Sequence, residues 1–151
     1  MKLSDILKPK SIYTMAEELR NTSQFSLIST ITNLMKRYDK NKELLIFLFT
    51  SDVKYCMWSD NKLFDTACKL GLLELVKIMI KNNSNLDISS FNNRPLRLAY
   101  HQNRHDVCFY LIKFKEVKDK LKPNDIKKIY DREKWLNKFS NDITNSIIKH
   151  E

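Results

Sequence analysis

His101, His105 and Cys108 are spaced as a helix would need to bring three ligands to one face, and imidazole and thiolate both bind transition metals. A tetrahedral site needs a fourth ligand, and no C-x-x-C pair supplies one. Asn103, a turn-forming residue, also falls between the two histidines and would interrupt the helix there. Catalytic motifs are absent as well. The chain contains no G-x-S-x-G, no phosphate-cradling glycine loop and no H-E-x-x-H. Its single glycine, Gly71, leaves almost no room for a mononucleotide-binding fold. No catalytic residue, metal or cofactor is expected, and the chain reads as a non-enzymatic protein.

The remaining chemistry is cationic and aromatic. Arg94, Arg97, His101 and Arg104, with Lys69, suit a basic strip able to hold an acidic peptide or a phosphate backbone; the alternative is a solvated face. The formal charge of +9 favours polyanions, although an AT-rich genome would enrich Lys and Asn for other reasons. Between Lys115 and Lys138 the cations are interleaved with Glu116, Asp119, Asp125, Asp131 and Glu133, which resembles a charged helix surface more than a nucleic-acid arm. No helix-turn-helix, zinc-finger or RNA-recognition signature is present. Nucleic acid is therefore the second-ranked partner, behind another protein.

These residues must be positioned by helices. The chain has 151 residues, 42% of them apolar, with one glycine and three prolines, too few corners for a sandwich or barrel. An all-α, single-domain fold is expected. Helical spacing runs from Tyr13 to Arg20 and from Phe25 to Tyr38, where Phe25, Ile28, Ile31, Leu34 and Met35 share a face. A turn is expected at Asp39-Lys40-Asn41, followed by a helix from Glu43 to Phe49. After Pro123 two further helical patterns are expected, with Asn124 or Asp125 as N-cap and the last pattern over Asp142 to Lys149. Three cysteines cannot all pair, and Cys68 and Cys108 read as small buried hydrophobes in a reducing compartment. No secretory signal is visible after Met1, and the longest apolar run, Leu44 to Phe49, is too short to span a bilayer. A soluble, intracellular, cytoplasmic monomer is expected.

The strongest organising signal is a repeat. The segment from Leu63 to Ile80 is answered by Pro95 to Ile112 at an offset of 32 residues, with Ala67 on Ala99, Phe64 on Leu96 and Gly71 on Asn103. The small alanines let paired helices approach closely. Pro95 suits a first helical turn, where its missing N–H costs nothing. Gly71 and Asn103 are the two residue types that best reach a left-handed conformation between helices. Residues 44–49 match residues 75–80 as a weaker copy one repeat earlier.

On these residues the chain resembles an ankyrin-repeat protein, and the Lys- and Asn-rich wording is similar to the ankyrin repeats of large DNA viruses. The resemblance implies a short ankyrin-type helical solenoid. Residues 60–113 would form two clear repeats, residues 1–59 a degenerate repeat or N-terminal cap, and residues 114–151 a C-terminal helical cap. Thr and His at the family's helix start are replaced by Lys62 and Asp65 in one repeat and by Arg94 and Arg97 in the next. The finger-tip glycine is replaced by Asp60 or Asn92. The resemblance also implies a binding surface of finger tips and the exposed face of each first helix. By position that surface is Trp58, Asn61 and Lys69 from the first repeat, and Phe91, Asn93, Arg94, Arg97, His101 and Gln102 from the second. The implied partner is a host or viral protein, with the module acting as adaptor or inhibitor. In some viral ankyrin proteins a C-terminal helical segment docks a ubiquitin-ligase subunit. Trp135, Leu136 and Phe139 could form such a face, although a cap sealing the last repeat is the preferred reading.

Overall fold

In the computed structural model, residues 11–51, 61–83 and 85–149 are described here, and every regular element among them is a helix. The order is α1 (Ile12–Arg20), α2 (Gln24–Lys36), α3 (Tyr38–Ser51), α4 (Lys62–Leu70), α5 (Leu73–Asn82), α6 (Ser90–His101), α7 (His105–Leu111), α8 (Lys115–Lys118) and α9 (Pro123–Lys149). The all-α expectation holds. None of these helices is long and apolar enough to cross a membrane. Internal contacts group the chain into two compact units, Met1–Ala67 with Glu74–Leu86, and Cys68–Leu73 with Asp87–Glu151.

In the first unit α1 and α2 both pack on α3. Ser11 caps α1, its hydroxyl accepting from the backbone N–H of Thr14. The buried stripe of α2 is Leu27, Ile31 and Met35, while Ile28 and Leu34 are half-buried. The apolar face thus centres on Leu27 rather than on the residues either side, because i, i+4 and i+8 line up on a helix. The side chain of Phe25 lies outside the described residues. The turn expected at Asp39-Lys40-Asn41 is helical instead. The chain breaks earlier, at Arg37 (φ −115°, ψ 48°), and α3 starts at Tyr38. Asn41 explains why it looked like a turn residue: its amide Nδ2 donates to the carbonyls of Leu34 and Arg37 at 3.3 and 3.1 Å, serving the open end of α2. Leu44, Leu45, Leu48 and Phe49 of α3 are buried, as are Leu75, Val76 and Met79 of α5. Asn82 at the end of α5 donates to the Phe49 carbonyl at 3.1 Å. Glu74, at the start of α5, accepts from Tyr38 at 3.4 Å and pairs with Lys42 at 2.9 Å. The Lys42 ammonium holds the Glu74 carboxyl below its ordinary range; burial and Glu74 push the Tyr38 phenol up to about 12.

In the second unit α6 and α9 both pack on α7. Its core contains Leu96, Ala99, Val107, Cys108, Leu111, Ile112, Val117 and Ile129. Cys68 and Cys108 are buried, and burial raises the Cys108 thiol to about 12. Cys56 lies outside the described residues. The tail carries one helix of 27 residues, not two. Pro123 occupies its first turn, as its missing donor allows, and the Lys122 carbonyl accepts from Asp125 and Ile126. The start of α9 therefore precedes the cap expected at Asn124 or Asp125.

The 32-residue offset recurs in the backbone. Asn61, just before α4, and Asn93 both have φ 59°. Gly71, after α4, has φ 74°, and Asn103, after α6, has φ 57°. Each pair sits where L-residues other than Asn rarely go.

Candidate functional site

The segment from Ser89 to Arg94, which holds the finger-tip position Asn92, forms no β-hairpin. Asp87 first turns the chain, its Oδ1 accepting from the backbone N–H and the hydroxyl of Ser89 at 3.1 and 3.2 Å. Phe91, Asn92 and Asn93 then all adopt left-handed backbone conformations, with φ of 49°, 54° and 59°. Asparagine tolerates this region, but phenylalanine does not, and such a residue costs about 1–2 kcal/mol. The surroundings hold it in place. Asn93 is only 2% exposed. Its Nδ2 donates to the Val117 carbonyl at 2.9 Å, and its Oδ1 has no hydrogen-bond partner among the described residues. Arg97, one helical turn on, donates from Nη2 to the Phe91 carbonyl at 2.8 Å and from Nε to the Asn92 carbonyl at 3.1 Å. Lys120 donates to the Ser89 carbonyl at 2.8 Å. The Phe91 ring is left 60% exposed, with the Arg94 guanidinium carbon 5.0 Å from its centroid.

Beside this turn lies a cavity of about 340 Å³. Its walls come from α6 (Asn92, Asn93, Leu96, Arg97, Tyr100, His101), from the segment before α9 (Lys120, Leu121, Lys122), and from the first turns of α9 (Asp125, Lys128, Ile129). Leu96 and Ile129 are buried and Leu121 is half-buried, so these apolar side chains sit beneath exposed Arg97, Lys122 and Lys128.

Of the sequence-derived binding residues, Asn93, Arg97 and His101 meet at this cavity; Phe91, Arg94, Lys69 and Gln102 do not line it. Asn93 is a buried brace of the turn and offers no exposed contact. Arg97 is exposed but also tied to the turn's carbonyls. His101, Gln102 and Lys69 are exposed; Asn61 is half-buried before α4. Trp58 lies outside the described residues, as do the side chains of Trp135 and Phe139; Leu136 is half-buried. Arg104, the far end of the expected basic strip, donates from Nε to the Lys69 carbonyl at 3.3 Å, and a Cβ added at Gly71 would sit 2.6 Å from its Cδ. It serves the open end of α4 while remaining exposed. His101, His105 and Cys108 do not share a helix: Asn103 separates α6 from α7, and Cys108 is buried while His101 is exposed. No cluster of three or more His, Cys, Asp or Glu among the described residues is placed to hold a metal ion.

Sequence reasoning missed Lys120, Lys122 and Lys128. The interleaved acids suggested a neutralised surface, yet Asp125 alone of those acids lines the cavity. The available signal was Pro123, which starts α9 and so places Lys120–Lys122 in the segment leading into it.

Compared with known proteins, the chain matches no family model, no curated protein and no solved structure.

Proposed function

We propose that this chain is a non-enzymatic, ankyrin-type protein-binding module that grips a partner protein through the turn at Phe91–Asn93 and the adjoining face of α6. One observation carries the reading: a large aromatic ring, 60% exposed and with the Arg94 guanidinium 5.0 Å from its centroid, sits on a left-handed backbone that Asn93 and Arg97 hold by hydrogen bonds. An exposed phenylalanine fixed in advance contributes contact area without losing much freedom on binding, the property of an interface anchor. Strained backbone persists where the surroundings over-determine it, and such sites concentrate at ligand-binding positions. The 32-residue recurrence of left-handed residues supports the repeat reading. The resemblance to viral ankyrin arrays puts a host protein first among partners, with the module serving as adaptor or inhibitor in the cytoplasm.

The test is an affinity capture from host-cell lysate with tagged protein, with and without nuclease, comparing wild type with Phe91→Ala/Arg97→Ala. A discrete protein that survives nuclease and is lost with the double variant is the expected result. Material that vanishes on nuclease treatment would transfer the function to the basic charge and to nucleic acid, the second reading.

A further inference from the structure

We infer that the cavity between α6 and the start of α9 receives a short acidic peptide segment, one apolar side chain seated inside and flanking Asp or Glu side chains on its rim. This deepens the module reading and rests on it, since it names the chemistry of the partner at a site adjoining the Phe91 turn.

Size comes first. At about 340 Å³ the cavity lies at the low end of the range of about 300–1,000 Å³ for small-ligand sites. It admits one or two side chains, and not a folded surface. Its floor is apolar, with Leu96, Ile129 and Leu121 contributing, which suits an aliphatic or aromatic anchor. Its charge is one-sided: Arg97, Lys120, Lys122 and Lys128 face the single carboxylate of Asp125.

Those cations differ in how committed they are. Lys120 gives a hydrogen bond to the Ser89 carbonyl and chiefly holds the wall. Arg97 spends two of its five N–H groups on the Phe91 and Asn92 carbonyls, leaving a fixed guanidinium with donors to spare. A guanidinium already held in place loses little entropy on pairing with a carboxylate. Lys122 and Lys128 are exposed and extend the positive rim along α9. Carboxylates spaced along an extended peptide match that rim, while its apolar residue covers the floor. A phosphodiester backbone would satisfy the rim but leave the apolar floor uncovered, so a peptide is favoured over nucleic acid.

Random peptides displayed on phage and selected against the full immobilised chain give the first readout. Selected sequences should combine Asp or Glu with Leu, Ile, Phe or Met. A synthetic peptide of the selected consensus should shift the backbone amide signals of Leu96, Arg97, Leu121 and Lys128 in an isotope-labelled sample. It should also lose about tenfold in affinity to Lys122→Glu/Lys128→Glu, because both attractive charges on the rim become repulsive. The circular dichroism of that variant should match wild type, as both side chains are exposed. Four results would overturn the inference: no selected consensus; a consensus without acids; equal affinity for the charge-reversed variant; or displacement of the peptide by a short single-stranded oligonucleotide that binds more tightly through the same two lysines. The module reading fails separately. If Phe91→Ala/Arg97→Ala abolishes lysate capture while charge reversal at Lys122 and Lys128 leaves peptide affinity intact, the module stands and the cavity inference falls. If the peptide behaves as expected while Phe91→Ala alone still captures its partner, the turn is not the anchor and the cavity inference stands.

Discussion

Asn61 and Asn93 share a left-handed φ of 59° at matching points of the repeat, and Gly71 and Asn103 are both left-handed, at 74° and 57°, at the next helix end. Four residues beyond each asparagine the copies part. Asp65 of α4 is 4% exposed, whereas Arg97 of α6 is exposed and its guanidinium reaches back to the carbonyls of Phe91 and Asn92. The same backbone position thus holds an inward carboxylate in one copy and an outward brace in the other. The helix ends differ likewise: at Gly71 the Arg104 side chain lies where a Cβ would project, while Asn103 is exposed. A shared offset fixes where the chain turns, and the side chains then decide what each turn holds.

The comparison can be broken most severely in the cores. Phe64→Ala and Leu96→Ala remove matched buried side chains, 1% and 3% exposed, and each should cost about 2–5 kcal/mol in urea denaturation. A cost well under 1 kcal/mol for either would mean that its copy lies outside the cooperative core. The next largest effect separates the two roles of Asn93. Asn93→Ala loses both the left-handed preference and the bond to Val117, about 2–3 kcal/mol, whereas Asn93→Gly keeps the backbone freedom and should lose about 1–2 kcal/mol. Equal losses would show that only the hydrogen bond matters.

Gly71→Ala should follow at about 1–2 kcal/mol, from the left-handed backbone together with the displacement of Arg104. Asn103→Gly, at the matched position, should change stability by no more than about 0.5 kcal/mol, in the favourable direction, because glycine accepts the same conformation. The smallest effect is in pH. Burial, then the Arg132 charge, lowers the His105 pKa below its ordinary 6.5. The folded state therefore binds its proton less readily than the unfolded chain. Stability is full above pH 6.5 and declines as pH falls toward the depressed value. His105→Gln should flatten that decline in thermal melts taken between neutral and mildly acidic buffer.

The helical class was legible because too few corner residues were available for anything else, and the repeat offset placed both left-handed helix ends in advance. Element limits were less legible where a polar residue serves a neighbouring helix end. Asn41 has the composition of a turn yet lies inside α3, since its amide supplies the open carbonyls of α2. The tail read as two helices because its apolar pattern is broken by polar residues, which an amphipathic helix of 27 residues tolerates on its outer side. Position within the repeat gave Asn93 an exposed role, whereas the structure buries it. Burial of an asparagine depends on an acceptor 24 residues away, the Val117 carbonyl, which no local pattern announces. The lysines of the cavity escaped for the same reason, since their grouping depends on how α9 packs.

The most direct test of the central claim uses two matched aromatics. Tyr13 of α1 is 64% exposed and Phe91 is 60% exposed, so exposure alone does not distinguish them. A photoreactive benzoylphenylalanine placed at position 91, and in a separate sample at position 13, would be irradiated in cells expressing the chain and the covalent products separated by mass. The account predicts a discrete protein adduct from position 91 and none of that mass from position 13. The same adduct from both positions, or from position 13 alone, would contradict it.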